Sequence, residues 1–191
     1  DDVFGPLLTQ RLTPITSHLP ELGFYLTSFT KSVMTGLRTG LLAMPRRLAL
    51  RVESILRVNS WMATPLLAEV ATRWVADGTA AHLIGLQRER LALRHKMVDE
   101  HLGEFALSNH PCSLSAWIGI PKHWQLDSLV QQLRHRLVAV TLPDPFLVLG
   151  RTRPNAIRLC LGAEGSDVRI NGAIGTIYNV FRQYPQVHDY L

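Results

Sequence analysis

The sequence predicts an α/β protein, made of a piece of one α/β domain followed by a complete, smaller α+β domain. Three observations predict this. Before Pro45 the chain carries short β-branched, aromatic and hydroxyl runs closed by turn residues; from Arg46 to Leu102 its apolar residues fall at helical spacing; after Gly103 short strands alternate with helices. The change of texture falls between about Arg46 and Pro65, so residues 1–60 are assigned to the first domain and residues 61–191 to the second.

Taken in order, Phe24 to Phe29 and Leu41 to Met44 read as strands, the second stopped by Pro45. Leu48, Val52, Ile55, Leu56 and Val58 predict a helix from Arg46 to about Asn59. Thr64-Pro65 has the form of a helix start, a capping threonine with proline in the first turn, and Asp77-Gly78 the form of its end. A third helix is predicted from Thr79 to Leu102, with Leu83, Leu86, Leu93 and Met97 as its apolar stripe, until Gly103 stops it. Beyond it, Leu114 to Ile120 reads as strand, Asp127 to Leu137 as helix, Val138 to Leu142 and Ala156 to Leu161 as strands, and Asp167 to about Gln183 as a terminal helix.

Composition narrows the function classes. With 47% hydrophobic and 18% charged residues the chain is globular, and Arg46, Arg47 and Arg51 interrupt its most apolar stretch well short of the roughly 18 residues a membrane span needs. The start lacks the basic and apolar pattern of a secretory signal. Two cysteines, Cys112 and Cys160, define neither a disulfide framework nor a metal site, so a cytoplasmic setting is expected. A net charge of +5 invites a nucleic-acid hypothesis, but the arginines are scattered and no aromatic residues interleave a basic run. The eight histidines, His18, His82, His95, His101, His110, His123, His135 and His188, are dispersed without metal-ligand spacing and are expected at the surface or at caps. Asp144, Ser28 and His135 form no readable nucleophile triad.

The densest chemistry lies between Thr27 and Gly40. Lysine is scarce, with Lys31, Lys96 and Lys122 the only ones among 20 cationic residues, and Lys31 sits among hydroxyls in an otherwise apolar strand-to-turn setting. An amine that is desolvated or near another cation is a better nucleophile toward an aldehyde. Arg38 follows seven residues later, between Gly36 and Gly40, which would let the backbone turn tightly and bring its planar fork against a phosphate, with Ser28 and Ser32 as further donors. A solvated loop with a chance lysine is the alternative.

This run resembles the Ser-x-Ser-Lys-x-x-x-Pro-Gly-Leu-Arg-x-Gly segment of fold-type I aminotransferases, and most of all the aminotransferase-like domain of MocR-type members of the GntR regulator family. Thr30 replaces the second serine and Thr35 the proline, both at unchanged spacing. The resemblance implies pyridoxal 5'-phosphate as cofactor, Lys31 as the catalytic lysine that joins the cofactor's aldehyde, and Ser28 and Arg38 as holders of its phosphate. Asp1-Asp2-Val3-Phe4-Gly5-Pro6-Leu7 is similar to the family's Asp-Asp-x-Tyr-Gly-Pro-Leu, which gives Asp1 the pyridine nitrogen. Phe4 stands in place of a tyrosine, so one hydrogen-bond donor to the phenolic oxygen is missing.

Pro154-Asn155-Ala156-Ile157-Arg158-Leu159-Cys160-Leu161-Gly162 resembles the family's Asn-x-Ile-Arg-Leu-x-x-Gly strand. An arginine in an apolar strand needs an anionic partner. The family's partner is the substrate α-carboxylate; an internal salt bridge is the alternative. Thr64 to Thr79 is similar to MocR scaffold sequence. Pro143 and Pro145 replace a glycine turn and are expected to stiffen a loop near the substrate entrance.

By this resemblance the chain begins inside the large domain and alone holds the cofactor poorly. The whole protein is expected to be a homodimer that binds an amino acid or amine and reaches DNA only through a separate amino-terminal domain. The first reading is the effector domain of such a regulator; the alternatives are part of a class I/II aminotransferase and an interaction domain that keeps the fold without the cofactor.

Overall fold

A computed structural model describes residues 1–185, and His188 lies outside the described residues. The chain forms two compact units, Asp1–Glu89 and a second from Arg90 onward, the division falling inside the longest helix.

In the first unit a 3-10 turn at Gly5–Leu7 precedes the one-turn helix α1 (Ile15–His18), and β1 (Tyr25–Ser28) pairs antiparallel with β2 (Gly40–Ala43) in the register Tyr25↔Ala43 to Ser28↔Gly40. β1 falls within the run that the sequence marks, and β2 starts one residue before its own. All four residues of β2 are exposed, although Leu41 and Leu42 point to opposite faces. Leu7 and Leu37 are fully buried and anchor the turns around the sheet. Arg88 donates to the carbonyls of Pro6, Leu7 and Leu8 at 2.7 to 3.1 Å, satisfying the end of the first 3-10 turn.

A 3-10 turn at Arg46–Leu48 runs into α2 (Ala49–Ser60), which buries none of its residues, and α3 (Pro65–Ala76) follows. Thr64 occupies the cap position of α3, but its side chain makes no capping hydrogen bond. The third helix, α4 (Thr79–Leu102), has the predicted bounds. Its stripe does not: Leu86 and Leu93 are exposed, while Leu91, Arg94, His95, Val98 and Leu102 are buried. Spacings of three and four put these five on one face, two of them basic, which is why apolar periodicity misses it.

The second unit is a three-stranded antiparallel sheet in the order β3 (Ala106–Ser108), β4 (Ser115–Gly119), β5 (Ala156–Cys160), with α5 (Leu126–His135) and α6 (Asp167–Phe181). On β4 Ala116 and Ile118 are buried, and on β5 Ile157 and Leu159, so one face of the sheet is apolar. Leu126, Leu129, Val130 and Leu133 on α5, and Ile170, Ile174, Ile177 and Phe181 on α6, complete the core at helical spacing. Ser166 caps α6, its hydroxyl accepting from the Arg169 amide at 3.3 Å.

Arg94 is buried; its Nε donates to Asp167 Oδ1 at 2.7 Å and its Nη1 to the Leu161 carbonyl, tying α4 to the start of α6 and the end of β5. Its Nη2 lies 2.7 Å from the same Asp167 oxygen without hydrogen-bond geometry. Two predicted details change. The Val138 to Leu142 strand is reduced to one bridge, Thr141 with Arg158, because Leu137 turns left-handed (φ 62°) just before it and Pro143 ends it just after. The short β3, with a bulge opposite Trp117 and Ile118, is additional.

Candidate functional site

In the first unit the amino-terminal segment lies against β1: the Asp2 amide donates to the Leu26 carbonyl at 2.8 Å, and the Thr27 hydroxyl donates to the Asp2 carbonyl at 3.2 Å. β1 ends at Ser28, and the turn that follows carries Lys31, closed by the Val33 and Met34 amides on the Phe29 carbonyl. Arg38 lies at the entry to β2, whose Gly40 pairs with Ser28. Ser28 is thus in the ladder, Lys31 and Arg38 lie in the connection between its strands, and Asp1 precedes the residue whose amide bonds to β1.

Lys31 and Arg38 are exposed, and neither has a hydrogen-bond or ion-pair partner among the described residues. Lys31 therefore stands on an open turn in place of the apolar setting expected for it. Ser32 is turned inward: its hydroxyl is buried and donates to the Ser28 carbonyl at 3.4 Å, so it is an internal pin and not a free donor. The expected role of the flanking glycines is also corrected. Neither Gly36 nor Gly40 adopts positive φ; Arg38 itself does, at 45°. The buried Leu37 and the Thr39 hydroxyl, donating to the Leu37 carbonyl at 2.8 Å, fix the chain on both sides and impose that conformation.

The tandem aspartates are distinguished by their partners. The Tyr25 hydroxyl donates to Asp2 Oδ2 at 2.6 Å, and Arg11 Nη2 reaches both Asp2 at 3.2 Å and the Tyr25 oxygen at 2.8 Å. The tyrosine hydrogen bond, followed by Arg11, holds the Asp2 carboxyl below its ordinary 3.8, and the same bond pushes the Tyr25 phenol above 10.0. Asp1 is exposed and, among the described residues, accepts only from the Val3 amide, at 3.2 Å. A cavity of about 500 Å³ opens here, with Asp1, Asp2, Arg11, Phe24 and Tyr25 among its walls. Sequence reasoning missed the Asp2 cluster because Tyr25 and Arg11 come from outside the motif. Phe4 is half exposed.

Arg158 belongs to the second unit. Alternation along β4 and β5 puts Ser115, Trp117, Arg158 and Cys160 on the face opposite the core, with Trp117 directly across from Arg158. The Arg158 Nε donates to the Ser115 hydroxyl at 3.1 Å, and its guanidinium carbon lies 5.2 Å from the centre of the Phe146 ring. No carboxylate pairs with Arg158 among the described residues, so the internal salt bridge is not formed there.

Phe146 is delivered by a 3-10 turn, Asp144–Phe146, opened by Pro143 and Pro145. Arg153 grips Asp127 with two bonds of 3.0 Å and Asp144 with bonds of 3.2 and 2.9 Å, fastening that turn to the start of α5. The Asp127 hydrogen bonds raise the Arg153 guanidinium further above its ordinary value, and Arg153 lowers Asp127.

The histidines split. His123 lies 3.1 Å from the Phe181 and Gln183 carbonyls and caps the end of α6. His95 departs from its expected surface or capping place: it is buried, bonded to Asn109 and, at 2.7 Å, to the Ser113 carbonyl. No three histidine, cysteine or acidic side chains cluster as metal ligands among the described residues. No helix among them is long and apolar enough to cross a membrane.

No family model matches the chain. An uncharacterized HTH-type transcriptional regulator of Bacillus subtilis (strain 168), YdeF, is 24% identical over 165 residues, covering 85% of this chain and 36% of the regulator. Among solved structures, a Thermus thermophilus aspartate aminotransferase double mutant superposes with a TM-score of 0.79 at 17% identity, over 94% of this chain and 47% of the enzyme. LysN, an α-aminoadipate aminotransferase also from Thermus thermophilus, gives 0.76 at 15% identity over 94% of this chain and 48% of its own. The aspartate aminotransferase of Thermotoga maritima gives 0.75 at 20% identity over 96% and 47%. The chain thus spans between a third and a half of these proteins. Its fold is that of fold-type I, pyridoxal-phosphate-dependent aminotransferases, part of the large α/β domain followed by the smaller one.

Proposed function

We propose that this chain is the carboxyl-terminal part of a pyridoxal 5'-phosphate domain, and that the whole protein is a cytoplasmic, homodimeric aminotransferase of class I/II type. The observation that carries the reading is the β1–β2 pair of the first unit with the connection that joins its strands and the amino-terminal segment beside it. It offers an amine, a guanidinium, a hydroxyl and a carboxylate, of which the amine and the guanidinium have no partner within the described residues. That donor set fits an aldehyde, a phosphate and a pyridine nitrogen.

When bound, the cofactor supplies an electron sink for negative charge at the substrate α-carbon. Lys31 would hold the cofactor at its aldehyde, and its Nζ, when free, would carry a proton to and from the substrate α-carbon. Arg38 and Ser28 hold the phosphate by charge-assisted and neutral hydrogen bonds. Asp1 keeps the pyridine nitrogen protonated, and the engagement of Asp2 by Tyr25 supports Asp1 for that role. Arg158 grips the substrate carboxylate with its two terminal nitrogens, its Nε being held by Ser115. Phe4 has no hydroxyl to donate, which shifts the cofactor's electronics relative to a tyrosine-bearing site.

The alignment with YdeF favours a second reading, the effector domain of a transcription regulator. There the same residues bind cofactor and an amino acid or amine, and ligand binding shifts a conformational equilibrium felt by a DNA reader elsewhere in the whole protein. Full-length protein loaded with pyridoxal phosphate separates the two. Sustained amino transfer to a keto acid at ordinary enzyme rates, abolished by Lys31→Ala, supports the aminotransferase. A single slow turnover with ligand-dependent DNA affinity supports the regulator. Absence of borohydride-trappable cofactor on Lys31 in the whole protein refutes both.

A further inference from the structure

The face of β4 and β5 that carries Arg158 continues into a recess of about 300 Å³ walled by Leu107, Trp117, Phe146, Leu147, Ala156 and Pro143. No charged side chain lines it. Trp117 and Phe146 meet edge to face, their ring centres 5.4 Å apart and their planes at 86°, which fixes a corner of two aromatic surfaces. Those two rings also flank the guanidinium: Trp117 sits across the ladder from Arg158, and Phe146 lies under it.

From this arrangement, and resting on the carboxylate-binding role proposed for Arg158, we infer that the ligand is a carboxylate bearing an apolar side chain, aliphatic or aromatic. The carboxylate meets the two terminal nitrogens of Arg158, which have no hydrogen-bond partner among the described residues, and the side chain enters the recess formed by Trp117, Phe146 and Leu107. A second carboxylate in that recess would shed its water with no cation to receive it. A phenyl or isobutyl group gains by leaving water, and the recess has room for either.

Arg153 holds the turn that carries Phe146 to the start of α5 through both Asp127 and Asp144, and prolines bracket Asp144. Leu107 lies at the bulge in β3, and its side chain fills the space that a Cβ at Gly119 would face. Trp117, Phe146 and Leu107 are therefore specificity-determining residues, with Arg153 as a positioning residue.

The test is calorimetric titration of the full-length protein, cofactor-free and loaded, with 3-phenylpropanoate, 4-methylpentanoate, glutarate and propanoate, none of which carries a transferable amino group. The two apolar carboxylates should bind about tenfold or more tightly than glutarate. Trp117→Ala and Phe146→Ala should each shrink that preference to about threefold or less, read as the ratio to glutarate within the same variant; Phe146 is half exposed, so its loss spares the core. Arg158→Gln should weaken all four alike. Glutarate binding as tightly as the apolar acids, or 3-phenylpropanoate no tighter than propanoate, overturns the recess while Arg158→Gln still reports a carboxylate site. If Arg158→Gln leaves every affinity unchanged, the role of Arg158 fails and the inference with it.

Discussion

Arg38 holds its backbone at φ 45° although glycines stand two residues away on either side. A side chain in this region costs about 1 kcal/mol or more, so the position is tolerated only if its neighbours impose it and its side chain is useful. Arg38→Gly removes strain and guanidinium together. The full-length variant should melt no lower than wild type in the cofactor-free state, while its affinity for pyridoxal phosphate falls by about tenfold or more. Calorimetric melting and absorbance titration read the two effects; a loss of stability with unchanged affinity would assign Arg38 to scaffold. A second prediction concerns Asp2 and Tyr25. The folded pKa of Asp2 is depressed, so its contribution is present above 3.8 and lost as pH falls through the folded value; that of Tyr25 is raised, so its contribution is present below 10.0 and lost as pH rises through it. The melting-temperature difference between wild type and Tyr25→Phe should be widest from about pH 5 to 9 and narrow toward both extremes. At this scale the proposed cofactor residues stand out in the sequence because Ser28, Lys31 and Arg38 sit in one short run. The inward turn of Ser32, the strain at Arg38 and the pinning of Asp2 were not, since each depends on contacts made only after β1 and β2 pair.

Elements were legible where one apolar stripe decides them. On α5 the buried residues Leu126, Leu129, Val130 and Leu133 have no basic competitor on their face, and the helix falls within two residues of its expected bounds. On α4 the stripe passes through Arg94 and His95, whose burial rests on Asp167, Leu161 and Asn109, partners from other elements that no local pattern announces. The lost Val138 to Leu142 strand has a similar cause. Leu137 follows the α5 cap residue Arg136 in the left-handed position usually given to glycine, and it is 94% exposed. Leu137→Gly removes an exposed, strained side chain and should raise stability by about 0.5 to 1 kcal/mol, seen as a rise of a few degrees in the melting point of the second unit. Arg94→Ala should lower it by about 2 kcal/mol, the partial exposure of Asp167 letting water recover some of the loss.

On the scale of the whole chain, the two units differ in how much apolar surface they cover. The second has a sheet with one buried face and two amphipathic helices against it. The first has a two-stranded sheet, too small to be stable by itself, whose β2 exposes Leu41 and Leu42 on both faces, and a helix, α2, with nothing buried. Strands apolar on both faces belong inside a sheet covered from both sides, and the aminotransferases that share this fold are about twice as long as the chain. Residues 1–191 expressed alone should therefore behave unequally. Amide exchange should be slow in β4, β5 and α6 and fast in β1, β2 and the turn bearing Lys31, and the protein should show little of the yellow absorbance of bound pyridoxal phosphate. In the full-length protein the same amides of β1 and β2 should become protected and the absorbance should appear in proportion. Stoichiometric, borohydride-trappable cofactor on Lys31 in the isolated chain would contradict this, because it would mean that Ser28, Lys31, Arg38 and Asp1 hold the cofactor with no help from further segments.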